Sequence, residues 1–461
     1  MTDLVCCVDF GSTFTKAALV DVDEGSLLSQ ASHTTTLDTD VLDGWEACKA
    51  RLSRTQAAAS TAPVLACSSA GGGLRIGVVG NEELVTAEAG RRVALSSGGR
   101  VVHVSSGGLD PAGLADLRGT APDVVLLVGG TDGGNADVLL ECARALAAAG
   151  WRRPVVVAGN ADAQAEIGDL FAAVHTPFVL TDNVVPQIGD LRPEPARAAI
   201  REMFLRHVIG GKHLSSRTDF VAMVRGATPD IVLTAVELLA TGLDAERPGA
   251  GDVAVVDIGG ATTDVHSVVE VDPDEAGSAR RVVETVPVSR TVEGDLGMRW
   301  SAPSTVTAGM HAGLVTLAGA EKLARPARQR RRDPGWLPST TRERDDEGRL
   351  ASVAVGLALR RHAGRQRVGF GPDGRLVERD GKDLREVDLL VGSGGVLRHN
   401  GSEFGTRVLA ESRGDDVRGG WLLPRRARIA IDGDYVLAAA GLLAAERPEA
   451  AYALLSGLLK G

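Results

Sequence analysis

Two short segments combine an aspartate with glycines and hydroxyls in an order suited to binding phosphate. They are Asp9–Lys16 (DFGSTFTK) and Asp257–Asp264 (DIGGATTD). Glycine lets backbone N–H groups approach phosphate oxygens, because no Cβ stands in the way. Further hydroxyl donors come from Ser12, Thr13, Thr262 and Thr263. Each segment alone could be an ordinary β-turn, but the pair predicts two turns that hold the phosphates of one nucleotide and its metal ion.

Charged side chains frame both turns. Asp9 and Asp257 each end an apolar run that predicts a buried strand, and carboxylate oxygens suit Mg²⁺. Lys16 and Asp264 occupy the same offset after them. A tight hairpin would bring Asp264 back toward the metal, and Lys16 could place a positive charge on a phosphate. The alternatives are a solvated strand lysine and a hairpin-end aspartate that bonds its own backbone.

Three later segments follow in an informative order. Residues 227–242 read as a helix that feeds the second strand, and residues 387–396 as a strand that ends in Gly392-Ser393-Gly394-Gly395. Residues 431–441 read as a helix rich in small side chains, which permit close crossing. Together with the two turns, these segments resemble the phosphate motifs, adenosine motif and connecting helices of the actin, Hsp70 and sugar-kinase superfamily of ATPases.

That resemblance implies an α/β fold with two actin/Hsp70-like ATPase lobes around a nucleotide cleft, and ATP and Mg²⁺ as cofactors. It implies Asp9 and Asp257 as metal ligands, and Asp264 with Asp257 as catalytic residues near the metal and the attacking water. The implied nucleotide-binding residues are Gly11, Ser12, Thr13, Lys16, Gly259, Gly260, Thr262, Thr263, Gly392, Ser393, Gly394 and Gly395.

A narrower match involves both turns together with residues 129–135 (GGTDGGN) and 293–299 (EGDLGMR). In these segments the chain resembles the MutL family, accessory proteins of adenosylcobalamin-dependent glutamate (methylaspartate) mutase. This family is unrelated to the DNA mismatch-repair protein of the same name. The resemblance implies a slow ATPase that partners the mutase subunits and acts as a chaperone-like reactivating factor.

Residues 74–205 alternate apolar strands, glycine turns and helices, the pattern of a parallel sheet covered on both faces. We therefore expect an inserted Rossmann-like α/β domain in the first lobe. The predicted organisation is a first lobe at 1–73, the insertion at 74–205, a helical connection at 206–250, a second lobe at 251–430 and a hinge helix returning to the first lobe at 431–461.

Two further glycine turns leave their roles open. In the inserted domain, Gly129, Gly130, Thr131, Asp132 and Asn135 could form a second site, with Asp132 and Asn135 best placed to specify a ligand, or could simply pack against a helix. In the second lobe, Gly294, Asp295 and Gly297 could lie beside the nucleotide or form a structural turn, and Arg299 is a candidate phosphate partner.

Composition excludes several classes of protein. The 461 residues are 44% hydrophobic, enough for two or three domains. The formal charge of −10 and the 3% of aromatic residues argue against a nucleic-acid binder. No apolar run is long enough to span a bilayer, and no signal peptide is evident. The five cysteines lack C-x-x-C spacing, so we expect a cytoplasmic protein without a disulfide framework.

Other functions stay open at this stage. A small-molecule kinase of the same superfamily would need a catalytic aspartate, for which Asp295 is a candidate. An electron-transfer activator would need cysteines that bridge an iron–sulfur cluster, and the cysteine spacing gives little support. A nucleotide-dependent filament is a further alternative. The basic run at 321–332 predicts a solvated face or a docking patch for an acidic partner. The oligomeric state and the particular mutase are not fixed by the sequence.

Overall fold

The structure is a computed structural model that describes residues 3–81, 86–270, 287–371, 374–416 and 419–460. The described chain divides into two compact units. Of the described residues, the first takes in 3–23, 27–81 and 86–233, and the second takes in 24–26, 234–270, 287–371, 374–416 and 419–460. Each unit is described by itself below.

The first unit begins with a strand-rich segment, continues through an α/β insertion and ends in helices. Its regular elements are β1 (Leu4–Phe10), β2 (Phe14–Asp21), β3 (Ser26–Thr34), α1 (Val41–Thr55), β4 (Val64–Ser68), β5 (Arg75–Val79), α2 (Glu88–Ser96), β6 (Arg100–Ser105), α3 (Pro111–Gly119), β7 (Val124–Leu127), α4 (Asp137–Ala148), β8 (Val155–Val157), α5 (Ala161–Ala173), β9 (Phe178–Leu180), α6 (Glu194–Met203), α7 (Thr218–Met223), β10 (Val224–Ala227) and α8 (Thr228–Thr241). The division between the two units falls within α8.

The first sheet has the strand order β10-β4-β1-β2-β3. β1 and β2 form an antiparallel hairpin, whereas β4 runs parallel to β1 and β10 parallel to β4. β1 is the central strand and is almost fully buried, as its near-continuous apolar sequence predicts. Phe10 at the end of this strand packs in the core, where its ring meets Phe220 edge to face with ring centroids 5.2 Å apart.

The insertion between β4 and β10 forms its own parallel sheet, in the order β6-β5-β7-β8-β9. This is the flavodoxin-like arrangement, in which the chain moves to opposite sides of the first strand. The three-residue core strand Val155–Val157 is wholly buried between helices. The predicted inserted Rossmann-like domain is thereby confirmed as a fold, and residues 82–85, which the sequence predicts to be helical, lie outside the described residues.

The second unit continues from the end of α8. Its regular elements are β11 (Gly242–Asp244), β12 (Arg247–Pro248), β13 (Val253–Ile258), β14 (Thr263–Val268), β15 (Val288–Glu293), α9 (Ala302–His311), α10 (Leu317–Arg332), α11 (Thr341–His362), β16 (Arg365–Gly371), β17 (Gly374–Asp380), β18 (Leu389–Ser393), α12 (Gly395–His399), α13 (Ser402–Ala410), β19 (Arg428–Ile431), α14 (Val436–Leu443) and α15 (Pro448–Lys460). The sequence of residues 281–292 predicts a strand, of which residues 281–286 lie outside the described residues and 288–292 belong to β15.

The main sheet of the second unit repeats the topology of the first sheet. Its order is β15-β14-β13-β18-β19, with an antiparallel hairpin β13–β14 and with β18 and β19 parallel to β13. In both sheets, therefore, the first strand is central, the second and third lie on one side, and the fourth and fifth lie on the other. The two phosphate-type segments connect the same pair of strands in each sheet.

The predicted boundaries of the lobes, the helical connection and the hinge helix stay predictions. The division into compact units groups residues 431–461 with the second unit, whereas the sequence led us to expect their return to the first lobe. The predicted helices at 227–242 and 431–441 are present as α8 and α14.

Arg330 in the basic run at 321–332 is buried, although the sequence predicts a solvated face or a docking patch for this run. Arg330 of α10 is 1% exposed, and its Nε lies 3.8 Å from the buried carboxylate of Glu347. Its guanidinium also stacks over Trp336 at 4.8 Å. This arginine is thus a core residue, because α11 brings a buried acid to it. The neighbouring Arg328 and Arg331 are exposed, as expected.

Candidate functional site

The first turn is a tight hairpin between β1 and β2. Asp9 is paired directly across the strands with Lys16, and the Gly11 N–H donates to the Phe14 carbonyl at 3.1 Å. A Cβ added to Gly11 would lie 2.7 Å from that carbonyl oxygen, closer than a side chain tolerates. The glycine is therefore required by the close approach of backbone within the turn.

Asp9 is held in a polar pocket at the end of β1. It is 3% exposed, and its Oδ1 accepts a hydrogen bond from Thr228 Oγ1 at 2.6 Å and from Cys67 Sγ at 3.7 Å. Lys16 Nζ lies 3.8 Å from the other oxygen, Oδ2. Burial and the neighbouring Asp9 charge raise the pKa of the Cys67 thiol well above its usual value, so this cysteine is a neutral donor.

Two hydroxyls near Asp9 are unsatisfied. Thr13 Oγ1 and Ser68 Oγ are buried and have no hydrogen-bond partner among the described residues. Thr13 belongs to the turn, and Ser68 ends β4, the strand that runs beside β1. Buried hydroxyls are normally paired, so these two fit a site completed by a phosphate, a hydrated Mg²⁺ or ordered water. Ser12, by contrast, is exposed.

The second turn repeats the geometry of the first. Asp257 lies directly across from Asp264, and the Gly259 N–H donates to the Thr262 carbonyl at 2.9 Å. A Cβ on Gly259 would lie 2.9 Å from that oxygen. Thr262 Oγ1 donates to Asp264 Oδ2 at 3.3 Å. The two hairpins thus share one backbone design and differ in charge, since an aspartate occupies the position that Lys16 holds in the first.

The segment after β15 forms backbone hydrogen bonds to the second turn. The Met298 and Arg299 N–H groups donate to the carbonyls of Gly259 and Gly260 at 3.0 and 2.8 Å. A Cβ on Gly297 would lie 2.8 Å from the Gly260 oxygen, so this glycine permits the approach. The turn carbonyls are therefore occupied by protein. Residues 296–299 have a structural role that the sequence left open.

The polar residues of that segment are engaged in ion pairs. Arg361 contacts both oxygens of Asp295, at 2.6 and 2.9 Å, and it lowers the pKa of this carboxyl. Such a carboxylate is a poor general base, which weakens the kinase alternative built on Asp295. Arg299 donates to Glu347 at 3.1 Å and so serves the buried network around Arg330.

The glycine run after β18 contains residues with different roles. Gly392 lies within the strand, where an added Cβ would meet Leu397 at 2.6 Å, so it is a packing glycine. Gly394 has φ +105°, and its Cβ position lies 2.3 Å from the Ile258 oxygen and 3.0 Å from Asp257 Oδ1. Ser393 pairs with Asp257 across the strands. Gly395 opens α12, where its Cβ position is nearly free.

Asp432 directly follows β19, the edge strand beside β18, and caps α14. Its Oδ1 accepts the Val436 N–H at 2.7 Å, and its Oδ2 accepts Ser393 Oγ at 3.4 Å. A buried carboxylate at a helix N-terminus satisfies free N–H groups and favours the helix dipole. Asp432 received no role in the sequence analysis, although an aspartate just before an apolar helical run is a signal for a helix cap.

Polar side chains of the glycine loop in the inserted domain have hydrogen-bond partners within that domain. Asp132 Oδ1 accepts from the Ala161 N–H at 3.0 Å and from Asn183 Nδ2 at 2.9 Å. Asn135 Oδ1 accepts the Asp137 N–H at 2.7 Å. The two groups that were best placed to specify a ligand thus tie the loop to α4, α5 and the segment after β9. This geometry favours the structural interpretation of Gly129, Gly130 and Thr131 as well.

We expect Asp132→Ala to destabilise the inserted domain by about 1–2 kcal/mol, because the Ala161 N–H and Asn183 amide lose an acceptor. The affinity for ATP that the resemblance implies should not change. Thermal unfolding and calorimetric titration with ATP measure the two quantities, and the exposed Glu141→Ala on α4 is the control. A variant of normal stability with altered ligand binding would contradict the structural role.

The described residues lack the features of two other classes of site. In the five described ranges, no three or more His, Cys, Asp and Glu side chains are grouped so as to hold a metal ion. Among the helices that the structure describes, none is long and apolar enough to cross a bilayer.

The two repeated sheets and the two matching aspartate–glycine hairpins define the class of protein. It is an α/β protein with two sheets of the same topology, as the resemblance to the actin, Hsp70 and sugar-kinase superfamily implies, and with a parallel α/β domain inserted in the first unit.

Comparison with known proteins gives the family. The profile of the MutL protein family matches residues 5–459. "Protein MutL" of Clostridium tetanomorphum is 35% identical over 470 residues, covering 99% of this chain and 99% of that protein. The chain therefore belongs to the MutL family, as the sequence motifs predicted.

The solved structures that align with most of this chain are more distant than the MutL relative. Gluconate kinase from Lactobacillus acidophilus is 9% identical, covering 99% of this chain and 92% of its own, with a TM-score of 0.33. Ethanolamine utilization protein EutJ from Carboxydothermus hydrogenoformans is 11% identical over 97% of this chain and 88% of its own, with a TM-score of 0.27. At these TM-scores the likenesses carry no argument about function.

Proposed function

We propose that the protein binds MgATP, hydrolyses it slowly, and acts as an accessory protein of an adenosylcobalamin-dependent mutase of the glutamate (methylaspartate) type. The observation that carries the nucleotide part is the repeated hairpin, with its obligatory glycine, its terminal aspartate and the unsatisfied hydroxyls of Thr13 and Ser68. Membership of the MutL family supports the choice of partner.

In this proposal the backbone N–H groups and hydroxyls of both turns bind phosphate oxygens, and Lys16 adds positive charge. Asp9 and Asp257 hold Mg²⁺, which when bound neutralises charge on the phosphates. Asp264 orients the attacking water by accepting a hydrogen bond from it. No covalent intermediate with the protein is needed, because phosphoryl transfer depends on positioning and charge stabilisation.

Loss of the γ-phosphate would remove a ligand that both turns are proposed to contact. A hinge-type change of shape between the ATP and ADP states could then act on the partner. Adenosylcobalamin mutases can lose their adenosyl group and retain inactive cobalamin. The proposed use of the ATPase cycle is to open the mutase so that the damaged cofactor leaves.

The deciding experiment combines the purified protein with mutase that carries inactivated cobalamin. With MgATP and fresh adenosylcobalamin, mutase activity should return and ADP should accumulate. A non-hydrolysable ATP analogue is the control, and it should not support repeated rounds. ATP turnover without recovery would refute the mutase role, whereas a phosphorylated small-molecule product would favour the kinase alternative.

A test of the first turn is Lys16→Ala. We expect ATP affinity to fall about tenfold, the loss of roughly one charge-assisted hydrogen bond. Stability should change by less than about 1 kcal/mol, because the pair with Asp9 spans 3.8 Å and the lysine is 26% exposed. Isothermal titration and thermal unfolding measure these outcomes, and an unchanged affinity would show that Lys16 does not contact the nucleotide.

A further inference from the structure

We infer that Arg290 is the positioning residue of the proposed ATPase site, and that it holds the carboxylate of Asp264 in place through a buried ion pair. This inference rests on the proposed function and deepens it, because it assigns a role to a residue outside both phosphate turns. Arg290 lies on β15, the third strand of the second sheet.

The need for a cation follows from the charges of the second hairpin. Asp257 and Asp264 are directly opposed on β13 and β14. Two like charges in directly opposed positions are destabilising. In the first hairpin the corresponding pair is Asp9 and Lys16, which attract. The second hairpin therefore requires a positive charge from elsewhere.

Arg290 supplies that charge in a well-defined geometry. Its Nη2 donates to Asp264 Oδ1 at 2.7 Å, a charge-assisted distance. The arginine side chain is 4% exposed, and the carboxylate of Asp264 is 16% exposed. One carboxylate oxygen is thus fixed by the guanidinium. The other, Oδ2, faces the turn and accepts from the Thr262 hydroxyl.

The rest of the guanidinium is unusual for a purely structural ion pair. Arg290 Nε and Nη1 are buried and have no hydrogen-bond partner among the described residues. His266, directly across the strands from Arg290, is 1% exposed and has an unpartnered Nδ1. Burial and the adjacent Arg290 charge lower the pKa of His266, so the imidazole is neutral.

A buried guanidinium with a single partner is a weak source of stability, because its desolvation is poorly compensated. Three unpartnered nitrogens on two neighbouring strands can instead hold ordered water, which needs two to four polar partners. Arg290 therefore links Asp264 to a set of polar atoms that solvent can complete. This arrangement suits a carboxylate that must orient water during hydrolysis.

The test is a double-mutant cycle between Arg290→Met and Asp264→Asn, with Arg290→Lys as the conservative variant. Arg290→Met should lower kcat by about 10- to 100-fold, the usual effect of removing a group that orients a functional ligand. ATP affinity, measured by titration, should change less than about threefold. Arg290→Lys should restore part of kcat, because the charge is kept while the planar fork is lost.

The double variant distinguishes a role through Asp264 from other roles. We expect Asp264→Asn/Arg290→Met to be no slower than Asp264→Asn alone, since Arg290 has nothing left to position. Arg385→Met removes another arginine–carboxylate pair of the same unit, the one with Asp383 before β18, and should leave kcat within about twofold. It controls for general damage to the unit.

Several outcomes would overturn the inference. These are a multiplicative loss in the double variant, normal kcat in Arg290→Met, or an ATP affinity that falls as much as kcat. If Arg290→Met does not fold, Arg290→Lys and the charge-balanced double variant still decide, because equal rates in Arg290→Lys and wild type would refute it. A wild-type protein that lacks ATPase activity would instead refute the proposed function itself.

Discussion

Asp257→Ala should abolish the proposed ATP hydrolysis while the protein stays folded. We expect kcat to fall by about 100-fold or more, the size seen when a group that stabilises transition-state charge is lost. The midpoint of thermal unfolding should be unchanged or higher, because the directly opposed Asp264 carboxylate loses a like-charged neighbour. Steady-state release of phosphate and a thermal melt measure the two effects.

A loss of activity without a loss of stability is the informative result, because residues of functional sites often favour activity at the expense of stability. The matched control is Asp169→Ala, an exposed aspartate on α5 of the inserted domain, which should alter neither quantity. Wild-type turnover in Asp257→Ala would remove the second hairpin from the proposed site. A large loss of stability would show that the carboxylate is structural.

Gly394→Ala should be the most damaging single methyl addition in the glycine run. The backbone at Gly394 has φ +105°, and a Cβ there would lie 2.3 Å from the Ile258 carbonyl oxygen. Conformational strain and overlap with backbone together cost roughly 2–5 kcal/mol. Because the same Cβ position lies 3.0 Å from Asp257 Oδ1, any relaxation would also displace that carboxylate.

The neighbouring glycine provides the comparison. A Cβ on Gly395 has no heavy atom closer than 3.9 Å, at the first residue of α12. Gly395→Ala should therefore change the free energy of unfolding by less than about 0.5 kcal/mol. Denaturant titration of both variants measures the difference. Equal stabilities would contradict the geometry assigned to Gly394.

Local pattern predicted the features that depend on neighbouring residues. The two hairpins, the strand ending at Ser393 and the parallel sheet of the insertion follow from apolar runs broken by glycine turns. The MutL assignment likewise rested on short motifs and is confirmed by the family match. These features need no knowledge of which distant residues pack together.

What the sequence could not give are contacts between residues far apart in the chain. Arg290 pairs with Asp264 only because β15 lies beside β14, and the motif at 293–299 that follows it gives no sign of this pairing. The burial of Arg330 depends on Glu347 of a different helix. Asp132 reads as a candidate ligand-binding group, but Asn183, distant in sequence, takes up its carboxylate. Tertiary pairing decides each of these cases.

The position of the insertion has a consequence for how the chain acquires its structure. β4 and β10 are neighbours in the first sheet, yet the whole parallel α/β domain separates them in sequence. Joining two distant strands has an entropic cost that rises with the length of the intervening chain. If the insertion collapses first into its own core, the ends of that chain are already close. The first sheet should therefore mature late in refolding, after the segment that interrupts it.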